Sequence, residues 1–335
     1  MRRGSNLPPH PGRLRKKTGQ LKLHGKNLKH WGALLKAYVS VLRRKTLNRN
    51  LEAVQSEYQN TWGGLSAQVT RLRTLEEFLR LVGNAAGPEL HMRNHGLAWG
   101  ANDVSRQYIN GIQRALIKNF SRITSVLEFG SGSGRNLLAL KNQNPTWEVR
   151  GYELTKEGVG IAGRLAKKFR LPITVRQKNL WDLSGTPEAD VGFTCFALEQ
   201  VNCGVSDAAR LLQKILSKVR HGIVLLEPLV EYYPKTIRGW FARQEHRKVG
   251  YCSNMGRACE KLAREGLVRI RRYSYPDSHN PLMFPQLVIL TKVRATSRRQ
   301  HGKKRDSLGD LGRWPRLANR RNGNLTRRQR PNNRG

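Results

Sequence analysis

The sequence predicts an α/β fold on a doubly wound, mostly parallel seven-stranded sheet with an antiparallel last strand, an N-terminal helical extension and disordered basic tails. Three observations lead there. From residue 123 onward, short apolar runs alternate with helical segments, the pattern of a parallel sheet covered by helices on both faces. The first run ends in FGSGSGR, a glycine-rich bend of the kind that joins strand to helix at the carboxyl edge of such a sheet. The last two runs, LVRIRRYSYP and QLVILTKV, are separated only by DSHNPLMFP. Without a crossover helix between them, those strands must be antiparallel.

The elements follow in chain order. Pro8, Pro9 and Pro11 make the first residues a poor helix former. NLKHWGALLKAYVSVLRRKTL then places Leu28, Trp31, Leu35, Tyr38 and Leu42 at steps of three and four, which predicts a basic amphipathic helix with these residues as its apolar face. Residues 1–50 are thus a basic arm carrying one helix. Residues 51–122 read as a helical cap: one helix runs through GLSAQVTRLRTLEEFLRLVGN and closes at Gly83, and another through NDVSRQYINGIQRALIKNF opens at Asn102. The core, 123–293, has strands in ITSVLEF, WEVRGYEL, ITVRQKNL, DVGFTCFAL and HGIVLLEPL, with helices between them and the final antiparallel pair after them. Residues 294–335, rich in Arg, Asn and Gly, bury too little apolar surface to offset their ordering entropy and read as a disordered basic tail.

Charge divides the chain in the same places. The 335 residues carry a net charge of +39, of which 1–50 contribute +14 and 291–335 contribute +13, leaving a mildly basic middle. Cationic arms attract polyanions, RNA among them, or serve as addresses. No apolar run reaches the length of a membrane span, and Arg2 and Arg3 are not followed by a secretory apolar region. The expected location is intracellular and cytoplasmic, with nuclear or organellar targeting by the basic N-terminus open. Cys195, Cys203, Cys252 and Cys259 form no C-x-x-C pair. They read as reduced thiols, the alternative being a zinc site on Cys252, Cys259 and His246.

The chemistry sits in the glycine bend. Gly130, Gly132 and Gly134 allow a sharp turn and a close ligand approach. A dinucleotide fingerprint would need glycine at 135, where Arg135 stands, and no G-K-[ST] follows as a P-loop requires. Glu128 just before the turn suits a ligand with positive charge rather than a pyrophosphate.

At these residues the chain resembles the class I S-adenosylmethionine-dependent methyltransferases, over about residues 95–293. The E-x-G-x-G-x-G of Glu128, Gly130, Gly132 and Gly134, with Ser131 inside it, matches the family's first-strand motif, whose loop holds the methionine end of the cofactor. The resemblance implies that Glu153, nineteen residues beyond Gly134, takes the ribose hydroxyls, with Leu154 beside it. It implies that Asp182 takes the adenine amino group, with Leu180 and Trp181 packing on the ring, and that Leu198 after the fourth strand also faces the cofactor. Taken singly, Glu128 could be a strand-end acid, Glu153 a helix-start residue and Asp182 a turn former.

The acceptor is less legible, because an activated methyl group asks chiefly for alignment and exclusion of water. FTCFALEQVNC lacks [DN]-P-P-[YF], the Pro-Cys of cytosine methyltransferases and the strand-end Asp of ribose methyltransferases. Cys195 is therefore read as core, and no catalytic residue is assigned. Glu199 and His95 are the candidates for touching the acceptor, against a structural role for Glu199 and a surface position for His95, whose neighbour Trp99 could join it in a lid. The expectation is a methyltransferase with an unresolved acceptor, RNA slightly favoured by the arms. Its alternatives are a small-molecule methyltransferase with localising arms and a non-catalytic nucleic-acid-binding protein.

Overall fold

A computed structural model describes residues 27–47, 49–83, 89–93, 96–100, 104–201 and 203–293. The chain divides into two units, 1–293 and 294–335, and the second lies wholly outside the described residues, as does the arm before residue 27.

Three helices come first: α1 (Asn27–Arg43), α2 (Leu51–Val69) and α3 (Leu75–Gly83). The single helix expected across 64–84 is two, because Thr74 opens a new one. Its hydroxyl accepts the Glu77 N–H at 3.2 Å while the Glu77 carboxylate accepts the Arg73 and Thr74 N–H groups, a capping box that outweighs continuation of α2. The face of α1 also differs from the expectation. Leu34 and Val41 point inward and Tyr38 stacks on Phe241 with ring centroids 4.0 Å apart, whereas Trp31, Leu35 and Leu42 are 48%, 63% and 56% exposed. The apolar arc of this helix is wider than the surface it packs on, so spacing alone chose its outer half.

A two-stranded antiparallel hairpin follows, β1 (Glu89–Arg93) with β2 (Gly96–Gly100), and then α4 (Val104–Asn119). His95 and the expected cap Asn102 lie outside the described residues. Trp99 pairs with Leu90 in the hairpin.

The alternation begins at β3 (Ser125–Phe129) and continues through α5 (Arg135–Gln143), β4 (Glu148–Glu153), α6 (Lys156–Phe169), β5 (Ile173–Gln177), β6 (Ala189–Cys195), α7 (Val205–Ser217) and β7 (Val219–Glu227). The helices α8 (Ile237–Val249) and α9 (Met255–Arg264) lead to β8 (Val268–Ser274) and β9 (Gln286–Lys292). The seven strands lie in the order β5-β4-β3-β6-β7-β9-β8, all parallel except β9, which runs antiparallel to both neighbours. The order reverses between β3 and β6, which makes the carboxyl ends of those strands the switch point where such sheets bind ligands.

Period-two alternation sends successive strand residues to opposite faces. Leu127 and Phe129 join Ile223 and Leu225 under α7 and α9, while Val126, Val191, Phe193 and Val224 pack under α4 and α5. All five residues of β3 are buried, which is why this strand reads as a continuous apolar run. A third cluster, with Phe78, Val69, Leu138, Ile161 and Leu165, fixes α2 and α3 onto α5 and α6. Among the described residues no helix is long and apolar enough to cross a membrane.

Asp190 clamps the other edge of the sheet. Its Oδ2 accepts the Thr124 N–H (2.8 Å), the Thr124 hydroxyl (2.6 Å) and the Ser125 N–H (3.0 Å), and its own N–H donates to Ser125 Oγ at 2.9 Å. Burial pushes this carboxyl up, but the hydrogen bonds from Thr124 and Ser125 outweigh it and hold the pKa at about 2. A folded pKa below the ~3.9 of a free Asp means the stabilisation is complete at neutral pH and is lost as pH falls from about 4 towards the folded value. Asp190→Asn should lower stability at neutral pH by roughly 2 kcal/mol and flatten the acid limb of the stability profile. Urea titrations across that pH range measure both.

Candidate functional site

A cavity of about 390 Å³ opens at the carboxyl ends of β3, β4 and β6. Its floor is the glycine bend. Gly130, Gly132 and Gly134 have φ of 80°, 54° and 75°, all in the left-handed region, so each position favours a residue without a Cβ. Space makes the same demand: an added Cβ would lie 2.4 Å from the Ala197 Cβ, 2.7 Å from the Trp62 ring and 2.9 Å from the Ala162 Cβ, respectively. The Gly130 and Ser131 N–H groups both donate to the Tyr152 carbonyl, at 2.8 and 2.9 Å, which folds the bend over the end of β4.

Glu153 ends β4 on the cavity wall. Its Oε2 accepts the Gly132 N–H at 2.8 Å, and its Oε1 accepts the Thr155 N–H at 3.0 Å and hydroxyl at 2.7 Å. Leu154, Leu180 and Trp181 share that wall with Ser131. Four buried polar atoms of lining residues have no hydrogen-bond partner among the described residues: Ser131 Oγ, Tyr152 OH, Trp62 Nε1 and Arg49 Nε. Such atoms normally find partners, so the wall is built for a polar ligand.

Five of the sequence-chosen residues lie off the cavity lining, Gly134 among them, where it caps α5 beside Ala162 and Ile173. Glu128 is fully buried beneath the bend, where Oε1 accepts the Asn136 amide at 2.6 Å; burial pushes its pKa up to about 8 against that hydrogen bond. Asp182 is exposed and lies off the wall, because its Oδ1 is committed to the Ser184 N–H (3.1 Å) and hydroxyl (2.6 Å). Asn179, three residues earlier, lines the cavity in its place. Leu198 is fully buried in the main core. Glu199 is also buried and off the wall, accepting the Gln200 amide at 3.0 Å; burial and the neighbouring Glu227 hold its carboxyl well above the usual range. Cys195, read as core, is half-buried and lines the cavity. The zinc alternative also fails on geometry: His246 Nε2 meets the Cys252 carbonyl at 2.8 Å, and no group of three metal-ligating side chains occurs among the described residues.

A further part of the lining is N-terminal and has no motif in the sequence to mark it. Arg49, Val54, Tyr58 and Trp62 reach the cavity from the segment before α2 and from α2 itself. Asn50 starts that helix by accepting the Ala53 N–H at 2.8 Å, and Gln59, Ser66 and Thr70 bond Glu157, Arg164 and Lys168 of α6. Arg49 is 8% exposed and donates to Gln200 Oε1 (2.6 Å) and Glu57 Oε2 (2.7 Å). Phe196, the residue after β6, also lines the cavity and has a φ of 56°, a conformation that costs a non-glycine residue energy. Glu227 holds this turn by accepting the Ala197 and Leu198 N–H groups on Oε1 and the Glu199 N–H on Oε2. Burial raises the Glu227 pKa to about 7.

No family model and no curated protein matches the chain. Solved structures do. The magnesium protoporphyrin IX methyltransferase of Synechocystis PCC 6803, with bound SAH, is 12% identical and aligns over 73% of this chain and 100% of its own at a TM-score of 0.50. An O-methyltransferase family protein from Burkholderia thailandensis is 13% identical over 80% of this chain and 71% of its own, also at 0.50. This chain has the class I methyltransferase fold. At these identities the likeness is one of fold, and within that methyltransferase fold the helix α2 and Arg49 form a cover over the glycine bend.

The cover makes a test. Gly132→Ala adds left-handed strain and drives a Cβ into the Trp62 ring, so it should destabilise the protein by about 1–3 kcal/mol and loosen α2. Hydrogen exchange should quicken over 51–69 while β3 and β6 stay protected. Unchanged exchange in α2 would mean that Trp62 is not held against the bend.

Proposed function

We propose that this chain is an S-adenosylmethionine-dependent methyltransferase acting on a small molecule. The observation that carries the reading is the left-handed glycine bend with Glu153 beside it, lining a cavity whose residues keep four polar atoms unpartnered. When bound, the cofactor supplies a methyl group already activated on a sulfonium. The residues fit it by type. The bend offers backbone that a ligand can approach closely, Glu153 keeps further lone pairs for hydroxyls, and Leu180 with Trp181 offers an apolar face for a base.

The chain's own tasks are then to bind, align and keep water out. Tyr58 and Trp62 cover the site from α2. Phe196, Ala197 and Gln200, at the end of β6, bound the side open to an acceptor, with Arg49 behind them. Glu199 is not assigned the role of base: it lies off the cavity wall, where it accepts the Gln200 amide, and burial with the neighbouring Glu227 pushes its carboxyl well above the usual range. No general base is required where the acceptor ionises readily by itself.

The cavity, at about 390 Å³, lies within the roughly 300–1,000 Å³ of small-molecule sites, which suits the cofactor itself. A small acceptor is supported by the solved structure of the same fold that is named for a magnesium porphyrin. RNA, raised by the cationic ends, gains nothing from the cavity, and those ends lie largely outside the described residues. The full chain, given methyl-labelled cofactor and separate small-metabolite, RNA and protein pools, should label the small-metabolite pool. Label in RNA would overturn the acceptor reading, and failure to bind the cofactor would overturn the enzyme itself.

A further inference from the structure

A second cavity, of about 410 Å³, opens at the other end of the same sheet edge. Glu227 of β7 pairs with Gln286 of β9, which pairs with Ser274 of β8, so these three residues mark the carboxyl edge on which the first cavity also lies. Gln286 and Ser274 line the second one. At about 4.8 Å per strand, the β8 end stands roughly 14 Å from the β6 end.

Two arginines face this cavity and no carboxylate lines it. The Arg238 guanidinium lies 4.8 Å from the centroid of the Phe284 ring, and that of Arg272 lies 3.8 Å from the centroid of Tyr232. Neither has a hydrogen-bond or ion-pair partner among the described residues. Packing on an aromatic face orients a guanidinium while leaving its in-plane N–H donors available. The acids nearby are engaged elsewhere: Glu260 accepts the Tyr232 hydroxyl at 2.8 Å and Glu231 accepts the Arg257 N–H at 3.0 Å.

Arg238 also stands in the first turn of α8, a 13-residue helix with no acid in that turn. A cation at the positive end of a helix is unfavourable on its own and becomes favourable when an anion shares the place. Pro234, just ahead of that helix, lines the cavity too. Two orphan guanidinium forks, a helix start and the Ser274 hydroxyl thus converge where nothing negative is supplied by the described chain.

We infer that this cavity binds a phosphoryl group, held between Arg238 and Arg272. A tetrahedral anion with several oxygens can accept from two forks and a hydroxyl at once, whereas a carboxylate has two oxygens and is filled by a single fork. The phosphoryl group can come from the phosphodiester of a polynucleotide or from a phosphorylated small molecule. Either would be bound on the edge that also carries the glycine bend.

The test uses the full chain, so that its cationic ends contribute equally to every protein compared. Calorimetry with inorganic pyrophosphate, at an ionic strength of about 0.15 M to screen loose contacts, should show a saturable site. The double variant Arg238→Gln/Arg272→Gln should lose about tenfold or more in affinity. Acetate should not displace pyrophosphate. Arg272→Gln alone, at an exposed side chain on the edge strand β8, should weaken binding without altering the melting temperature. Equal affinity in wild type and the variants, or displacement by acetate, overturns the inference. Competition then separates the sources: an oligoribonucleotide without a terminal phosphate displaces pyrophosphate if the site takes a phosphodiester, and a sugar monophosphate does so if it takes a monoester. Displacement by neither also overturns it.

Discussion

The carboxylate of Glu153 joins the end of β4, the crest of the glycine bend and the start of α6. One oxygen takes the Gly132 N–H and the other takes the Thr155 N–H and hydroxyl. Thr155 in turn accepts the Gly158 N–H at 3.3 Å as the cap of α6. The chain must reverse within five residues above β3, which leaves N–H groups pointing inward that no regular ladder can satisfy. The Tyr152 carbonyl takes those of Gly130 and Ser131, and the Glu153 carboxylate takes that of Gly132. The Glu153 side chain thereby ties the bend, the helix start and the cavity wall together.

The neighbouring strand ends are organised by acids as well, but differently. Glu128 and Glu227 are fully buried at the ends of β3 and β7, and burial lifts them to about 8 and about 7. Hydrogen-bond donors hold both: Asn136 for the first, with the Arg135 charge nearby, and three consecutive backbone N–H groups of 197–199 for the second. Their task is positional. The Glu227 contacts hold the turn in which Phe196 adopts its left-handed conformation, so strain at the cavity mouth is offset by hydrogen bonds beneath it.

What the sequence made legible was local and periodic. The apolar alternation after residue 123 marked all seven sheet strands, and the glycine spacing with Glu153 marked the bend and the residue that holds it. Asp182 lies off the cavity lining because an acid in a turn serves equally as a cap, and Ser184 two residues later takes its Oδ1. The hairpin β1–β2 is too short for a periodic signal. Arg49, Tyr58 and Trp62 could not be found by pattern at all, since they reach the cavity only because α2 packs on α6 from about 100 residues away in sequence. The Thr74–Glu77 capping box was present in the letters and would have split the helix correctly.

The central claim is that Glu153 and the glycine bend hold S-adenosylmethionine. Calorimetric titration of the full chain with this cofactor, compared with a Glu153→Gln variant whose melting transition stays cooperative, tests it most directly. Gln keeps an acceptor for Gly132 or Thr155 but loses the charge that strengthens hydrogen bonds to hydroxyls, so affinity should fall by about 2 kcal/mol, roughly thirtyfold. Wild-type affinity in the folded variant, or no binding by the wild-type chain, would contradict the account.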